Sequence, residues 1–218
     1  MCFSAGASFG ASTVLAAIGV AAMVKARTSP QRLFATIPFV FAVQQLAEGM
    51  LWLSLKDPGL AAWQPFLTYT FLVFAMMFWP VWIPITIRLL EKDPKRKKIM
   101  SLLLSAGILV SAGIGFVLLL YPVKVIPASH HLHYSLDLPP AIKSLTLLFT
   151  LLYIITTIAA PFISGIKRMK WLGLVFLISY AFAAIFYSGF IVSVWCYFAA
   201  ILSMVVVWIM SGLRKPVL

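Results

Sequence analysis

Glu48 is the residue whose position most demands a chemical explanation. Of the five acidic residues in this 218-residue chain it alone falls inside a long apolar run; Asp57, Glu91, Asp93 and Asp137 lie in polar connections. A carboxylate in the middle of a bilayer-spanning helix costs about 2.5–3.5 kcal/mol on insertion scales, so it has to be protonated, paired or turned to a wet cavity. Gln44 and Gln45 precede it and Trp52 follows at helical spacing, which makes a polar and amphipathic stripe. That stripe suits a proton acceptor or a ligand group, and equally an interhelical hydrogen bond.

All three histidines, His130, His131 and His133, stand together in the segment Ser129-His130-His131-Leu132-His133-Tyr134-Ser135-Leu136-Asp137. Residues two apart on an extended chain point the same way, so an H-x-H pair can converge on one ion, with Asp137 adding an oxygen. A divalent transition metal such as zinc fits these donors. The alternative is a solvated interfacial loop, because a local cluster lacks the long-range spacing of zinc motifs. The two cysteines, Cys2 and Cys196, could form a disulfide, join the histidines at a metal, or, for Cys196, pack as a small hydrophobe. A second polar stripe, Thr146, Thr150, Tyr153 and Thr157, repeats at intervals of four, three and four. Threonine hydroxyls can bond the preceding turn, so helix-to-helix adhesion is the favoured reading there.

These residues must be positioned by membrane helices. The chain is 63% hydrophobic and 10% charged, far from the roughly one-quarter charged share of ordinary globular domains. A bilayer-crossing helix needs about 20 mostly apolar residues, and the sequence predicts seven, at 7–25, 31–54, 66–90, 99–121, 141–164, 171–188 and 190–212. The expected fold is therefore an all-α integral membrane protein, one seven-helix domain over 1–218. The 122–140 segment is its longest loop and the one with room for irregular structure. Met1 to Val24 carries no charge, so the first segment lacks the basic start of a signal peptide and is expected to stay as a helix.

The net charge of +12 could suggest nucleic acid, but its distribution assigns it to topology. Fourteen lysines and arginines lie after spans one, three, five and seven, including the run Lys95-Arg96-Lys97-Lys98; only Lys56, Lys124 and Lys143 lie on the other side. The positive-inside rule makes the basic side cytoplasmic, with the N-terminus outside and the C-terminus inside. Anionic lipid headgroups at the cytoplasmic face are the expected partners of these cations, and nucleic acid is not needed.

Local signals mark the ends. Ser29-Pro30 and Asp93-Pro94 read as a capping side chain followed by a proline at the first helical position. Trp79-Pro80-Val81-Trp82-Ile83-Pro84 breaks the third span's hydrogen-bond ladder twice, and Pro161 loosens the inner end of the fifth. Gly107, Ser111 and Gly115 form a ladder of small residues that lets another backbone approach closely. Glu48 lies about 9 Å below the end of its helix at 1.5 Å per residue, a depth expected to be reachable from the outer water.

The opening Met1-Cys2-Phe3-Ser4-Ala5-Gly6-Ala7-Ser8-Phe9, the motif Gln44-Gln45-x-x-Glu48-Gly49-x-x-Trp52 and the stretch Trp195-Cys196-Tyr197-Phe198-Ala199-Ala200 resemble a family of uncharacterised bacterial multi-pass membrane proteins that begin Met-Cys-Phe-Ser. The resemblance spans the whole chain. It implies a seven-helix protein of the bacterial inner membrane and no particular substrate.

Charge topology alone puts Cys2, Glu48, the histidine segment and Cys196 on the outer side. The leading expectation is an extracytoplasmic-facing polar site for a metal ion or small polar ligand, with Glu48 as acid or base, Gln44, Gln45, Trp52, Tyr134, Cys2 and Cys196 around the ligand, and the histidines with Asp137 on a metal. A metal-dependent membrane hydrolase is one chemical version of it. A proton-coupled transporter or receptor-like protein using Glu48 is the alternative, and an accessory membrane subunit is the third.

Overall fold

The computed structural model describes residues 4–128, 131–187, 195 and 198–213. Helix α1 (Ala5–Lys25) starts where Ser4 accepts a hydrogen bond from the Ala7 N–H. Its buried residues Ser8, Ala11, Leu15, Gly19 and Ala22 recur every three or four positions, so one stripe faces inward. That stripe lies antiparallel to α3 (Ile37–Ser54): the Phe39 ring sits on Gly19, the Phe9 ring sits on Gly49, and Ser12 donates to the Ala42 carbonyl at 2.8 Å. The short α2 (Ser29–Ala35) precedes α3, and the two are separated at Thr36, where Pro38 removes a helical donor. The cap of α2 is Thr28, one residue before the expected Ser29. Asp93 caps α6 as expected, accepting from the Lys95 N–H at 2.8 Å.

The third span is the least regular. A 3₁₀ turn over Pro58–Trp63 leads into α4 (Gln64–Leu72), a π-helical stretch over Val73–Phe78, and α5 (Trp79–Leu90). Pro80 supplies no N–H to the turn before it, so carbonyls there are short of donors. Two hydroxyls from other helices take their place: Tyr153 donates to the Ala75 carbonyl at 2.8 Å and Ser111 to the Met77 carbonyl at 2.6 Å. Pro84 likewise leaves the Pro80 carbonyl without its helical partner. The backbone of α6 (Pro94–Leu120) closes on that oxygen at Gly107, where a Cβ would lie 2.0 Å from it. The small-residue ladder of the fourth span is thus the surface that accepts the proline-broken third span.

Beyond α6 the chain departs from the all-α expectation. Residues 122–140 hold an antiparallel hairpin, β1 (Val123–Ala128) and β2 (His131–Leu136), with Val125 opposite Tyr134 and Pro127 opposite Leu132. The alternation Val123, Val125 against Lys124 on one strand, and Leu132, Tyr134 against His131, His133 on the other, fits a half-buried ribbon. One face packs on the helices: Leu132 is buried against Leu51, Trp52 and Leu67. The chain continues through α7 (Pro140–Lys143), α8 (Thr146–Ile163), α9 (Met169–Phe186) and α10 (Ala199–Gly212).

Among the described residues, six helical segments are long and apolar enough to cross a membrane: Ala5–Lys25, Ser29–Ser54, Pro58–Leu90, Pro94–Leu120, Pro140–Ile163 and Met169–Phe186. Ala199–Gly212, the described part of the expected seventh span, is a shorter apolar helix. Each packs on its neighbours around a common core, with α1 touching α3 and α10, α8 touching α5, α6 and α9, and α9 touching α10.

At the end of the bundle opposite the hairpin, Glu91 ties two loops together. Its carboxylate accepts from the Gly165 N–H at 2.7 Å, the Lys92 N–H at 2.9 Å, and the Asp93 N–H and Ser164 hydroxyl at 3.3 Å. Burial works to raise the Glu91 pKa, but the backbone donors of Gly165, Asp93 and Lys92 and the Ser164 hydroxyl outweigh it and hold the carboxyl below its ordinary value.

Two outcomes follow from this packing. Gly107→Ala should destabilise the protein by about 1–3 kcal/mol through overpacking against the Pro80 carbonyl, whereas Gly10→Ala, with open space around it, should be neutral; thermal unfolding in detergent compares the two. Because the folded Glu91 carboxyl is depressed, its stabilisation is present above the ordinary glutamate pKa and disappears as pH falls through the folded value. Melting temperature against pH should therefore drop more steeply in acid for the wild type than for Glu91→Gln, and parallel curves would contradict the clamp.

Candidate functional site

Helix α3 positions the polar stripe read from the sequence. Gln44, Gln45 and Glu48 are all buried, Glu48 completely, and Trp52 is 4% exposed. The Gln45 side-chain amide donates to the Glu48 carboxylate at 3.3 Å. Glu48, expected to be within reach of outer water, is fully buried, and the residues that follow it on α3 pack against the hairpin and the start of α1. Ala5, Leu132 and Tyr134 pack with Leu51 and Trp52, while Tyr134 also reaches the cluster of Ala47 and Phe71, its ring stacked on Phe71 at 5.2 Å. Ser8, fully buried on the α1 stripe that faces α3, lies at the level of this cluster. Its hydroxyl and the Trp52 indole N–H have no hydrogen-bond partner among the described residues. Glu48 thus sits on a buried polar stretch of α3, one turn from residues that pack against the hairpin.

The hairpin separates Tyr134 from the imidazoles. By strand alternation His131 and His133 leave β2 on the face opposite Leu132 and Tyr134, so the face that packs on α3 and α4 carries the leucine and the tyrosine. The His131 ring lies edge-on to Tyr187 at 5.5 Å. Asp137 is exposed and faces Lys124 at 3.8 Å. Among the described residues no three His, Cys, Asp or Glu side chains come together as a metal group. His130, Cys2 and Cys196 lie outside the described residues.

Gln44 points to a different place. It lines a cavity of about 560 Å³ between α3, the π-helical stretch and α6 on one side and α8, α9 and Trp195 on the other. Its side-chain oxygen accepts from the Trp79 indole N–H at 3.2 Å. The stripe Thr146, Thr150 and Tyr153 faces this cavity; Tyr153 also provides the adhesion expected of the stripe, through its bond to Ala75. Thr157, the fourth member, is fully buried and lies outside the cavity lining. None of the described lining residues is Asp, Glu, Lys, Arg or His. A volume within the 300–1,000 Å³ of ordinary ligand pockets, mostly apolar walls and a few uncharged hydrogen-bonding groups are the features of a site for a small hydrophobic or amphipathic molecule. Its wall comes from segments far apart in the chain, of which the hydroxyl stripe and the prolines are the traces legible in the sequence.

Gln44 and Glu48 are one helical turn apart on the same side of α3, about 6 Å along its axis. The cavity and the buried acid therefore share one helix as a wall.

The family model described as a family of unknown function (DUF6629) matches residues 1–217, and the chain belongs to that family. No characterised protein and no solved structure matches it.

Substitutions at Glu48 separate charge from hydrogen bonding. Glu48→Gln keeps an acceptor for Gln45 and removes any cost of holding a charge, so its melting temperature should equal or exceed that of the wild type. Glu48→Leu removes the acceptor and should cost about 1–2 kcal/mol. A Gln variant as unstable as the Leu variant would show that the ionised carboxylate itself holds this end together.

Proposed function

We propose that this protein spans a bacterial inner membrane seven times, with its N-terminus outside and its C-terminus in the cytoplasm, and binds a membrane-dissolved, largely apolar ligand inside its helical bundle. The cavity beside Gln44 carries this reading: it is large enough for a ligand, lies among segments apolar enough to cross a bilayer, and is lined by no charged side chain among the described residues. The topology rests on the lysine and arginine asymmetry and on Ala199–Gly212 as the inner part of a seventh span. The basic face then meets anionic headgroups, as its charge favours.

This reading replaces a metal or small polar solute with an amphipathic molecule as ligand, because an ion or strongly hydrated solute would find few polar partners in such walls. A second reading, coupling of ligand binding to a proton, is favoured by one observation: Glu48 is fully buried one turn from Gln44 on the same helix. In that version Glu48 takes up or gives up a proton as the cavity fills and empties.

The test is chemical analysis of what the purified protein carries. Protein extracted in mild detergent should hold a lipid-soluble molecule in near-stoichiometric amount by native mass spectrometry, and filling the cavity with Ile114→Phe and Thr150→Phe should remove it while the melting transition persists. Wild-type protein that carries nothing and binds no added lipid would sink the proposal. For the proton-coupled version, affinity should vary with pH in the wild type and lose that variation in Glu48→Gln; identical profiles would discard it.

A further inference from the structure

The cavity is graded from one end to the other, and the gradient points to the shape of its occupant. At the deep end Phe41 and Trp79 are stacked with ring centres 4.1 Å apart. Across from them Trp195 meets Tyr153 at 5.9 Å, Tyr180 at 5.5 Å and Phe176 at 6.2 Å, each edge to face. The hydrogen-bonding groups of this end, the Gln44 amide and the Tyr180 hydroxyl, are uncharged. Toward the hairpin the walls turn mostly aliphatic, with Ile114, Val117, Leu118, Leu136 and Ile142, alongside Phe116, Phe149 and the hydroxyls of Thr146 and Thr150.

The mouth faces the side of the bundle. Phe116 on α6 and Leu145 at the start of the eighth helix both line the cavity and are 62% and 46% exposed, on surfaces that the membrane reading gives to lipid. Below them α6 and α8 close together, because the Phe149 ring lies directly on Gly113. On the hairpin side Leu136 and Leu138 also line the cavity.

We infer that the ligand is a lipid with a flat, uncharged, oxygen-bearing ring and an aliphatic chain, the chemistry of a membrane quinone, with its ring between the deep aromatic walls and its chain leaving toward the bilayer between α6 and α8. The inference rests on the reading that the cavity holds a ligand at all. Aromatic walls favour a planar π face through offset or edge contacts. Uncharged amide and phenol groups match carbonyl or hydroxyl oxygens. A phospholipid would have to bring its phosphate past walls with no described cation, and a plain acyl chain would make no use of the Tyr180 hydroxyl or the aromatic walls.

The experiment titrates purified protein in phosphatidylcholine nanodiscs with a benzoquinone bearing one isoprenyl unit, following tryptophan emission, since Trp79 and Trp195 line the ring end. The expected result is saturable quenching that an isoprenyl alcohol of the same chain length fails to displace. Tyr180→Phe should weaken the quinone about tenfold, the effect of one neutral hydrogen bond. Gln44→Leu should do likewise, with a lowered melting temperature because the Trp79 indole N–H loses its acceptor, while Tyr180→Phe should retain the wild-type melting transition. Ile114→Phe with Thr150→Phe should abolish the saturable component. Equal displacement by the ring-free alcohol, or unchanged quinone affinity in both Tyr180→Phe and Gln44→Leu, overturns the ring assignment and leaves the cavity reading standing. No saturable binding of either compound, together with no co-purifying lipid, overturns both.

Discussion

Inside a bilayer a backbone carbonyl has no water to turn to, and the two prolines of the third span leave carbonyls that need other partners. The rest of the bundle is arranged around that debt of donors. Ser111 of α6 and Tyr153 of α8 each bring a hydroxyl to the π-helical stretch, and Gly107 brings the α6 backbone against the Pro80 oxygen. Those three contacts fix where α6 and α8 stand relative to α5. With both helices held at this depth, the space toward the hairpin is left unfilled, and it becomes the cavity. A helix without prolines at 80 and 84 would need no hydroxyl from Tyr153 and could pack flush.

The sequence made much of this legible, and the failures have physical reasons. Hydrophobic runs located the described spans to within a few residues at most ends, because length and polarity are local properties. The ladder Gly107, Ser111 and Gly115 was readable as a packing face, although nothing in it named Pro80 and Met77 as the partners. The third span was read as broken at its prolines, but a proline states only that a donor is missing and not that the chain will widen into a π turn before it. The 122–140 segment was read as irregular, since a short, proline-flanked stretch between membrane helices gives alternation few residues in which to show itself. Glu91 passed as an ordinary loop acid because its partners at Ser164 and Gly165 are backbone and hydroxyl groups more than 70 positions away.

Of the site, the buried acid and its glutamines were visible because an acid in an apolar run is expensive wherever it occurs. Their division of labour was not. Gln44 and Gln45 are neighbours in the chain, yet a helix turns each residue by about 100°, so one amide lines the cavity and the other bonds Glu48. A one-residue step of the same kind on β2 sends Tyr134 onto Phe71 and the helices and His133 to the other face of the ribbon. Grouping these residues by sequence proximity merged what the backbone geometry separates.

The carboxylate of Glu91 has a mechanical meaning beyond its contribution to stability. By holding the α5–α6 and α8–α9 connections in one grip, it makes the basic end of the molecule a pivot. Four helices are thereby joined at that end, whereas toward the other end the contact between α6 and α8 includes an aromatic ring, Phe149, laid on a glycine, Gly113.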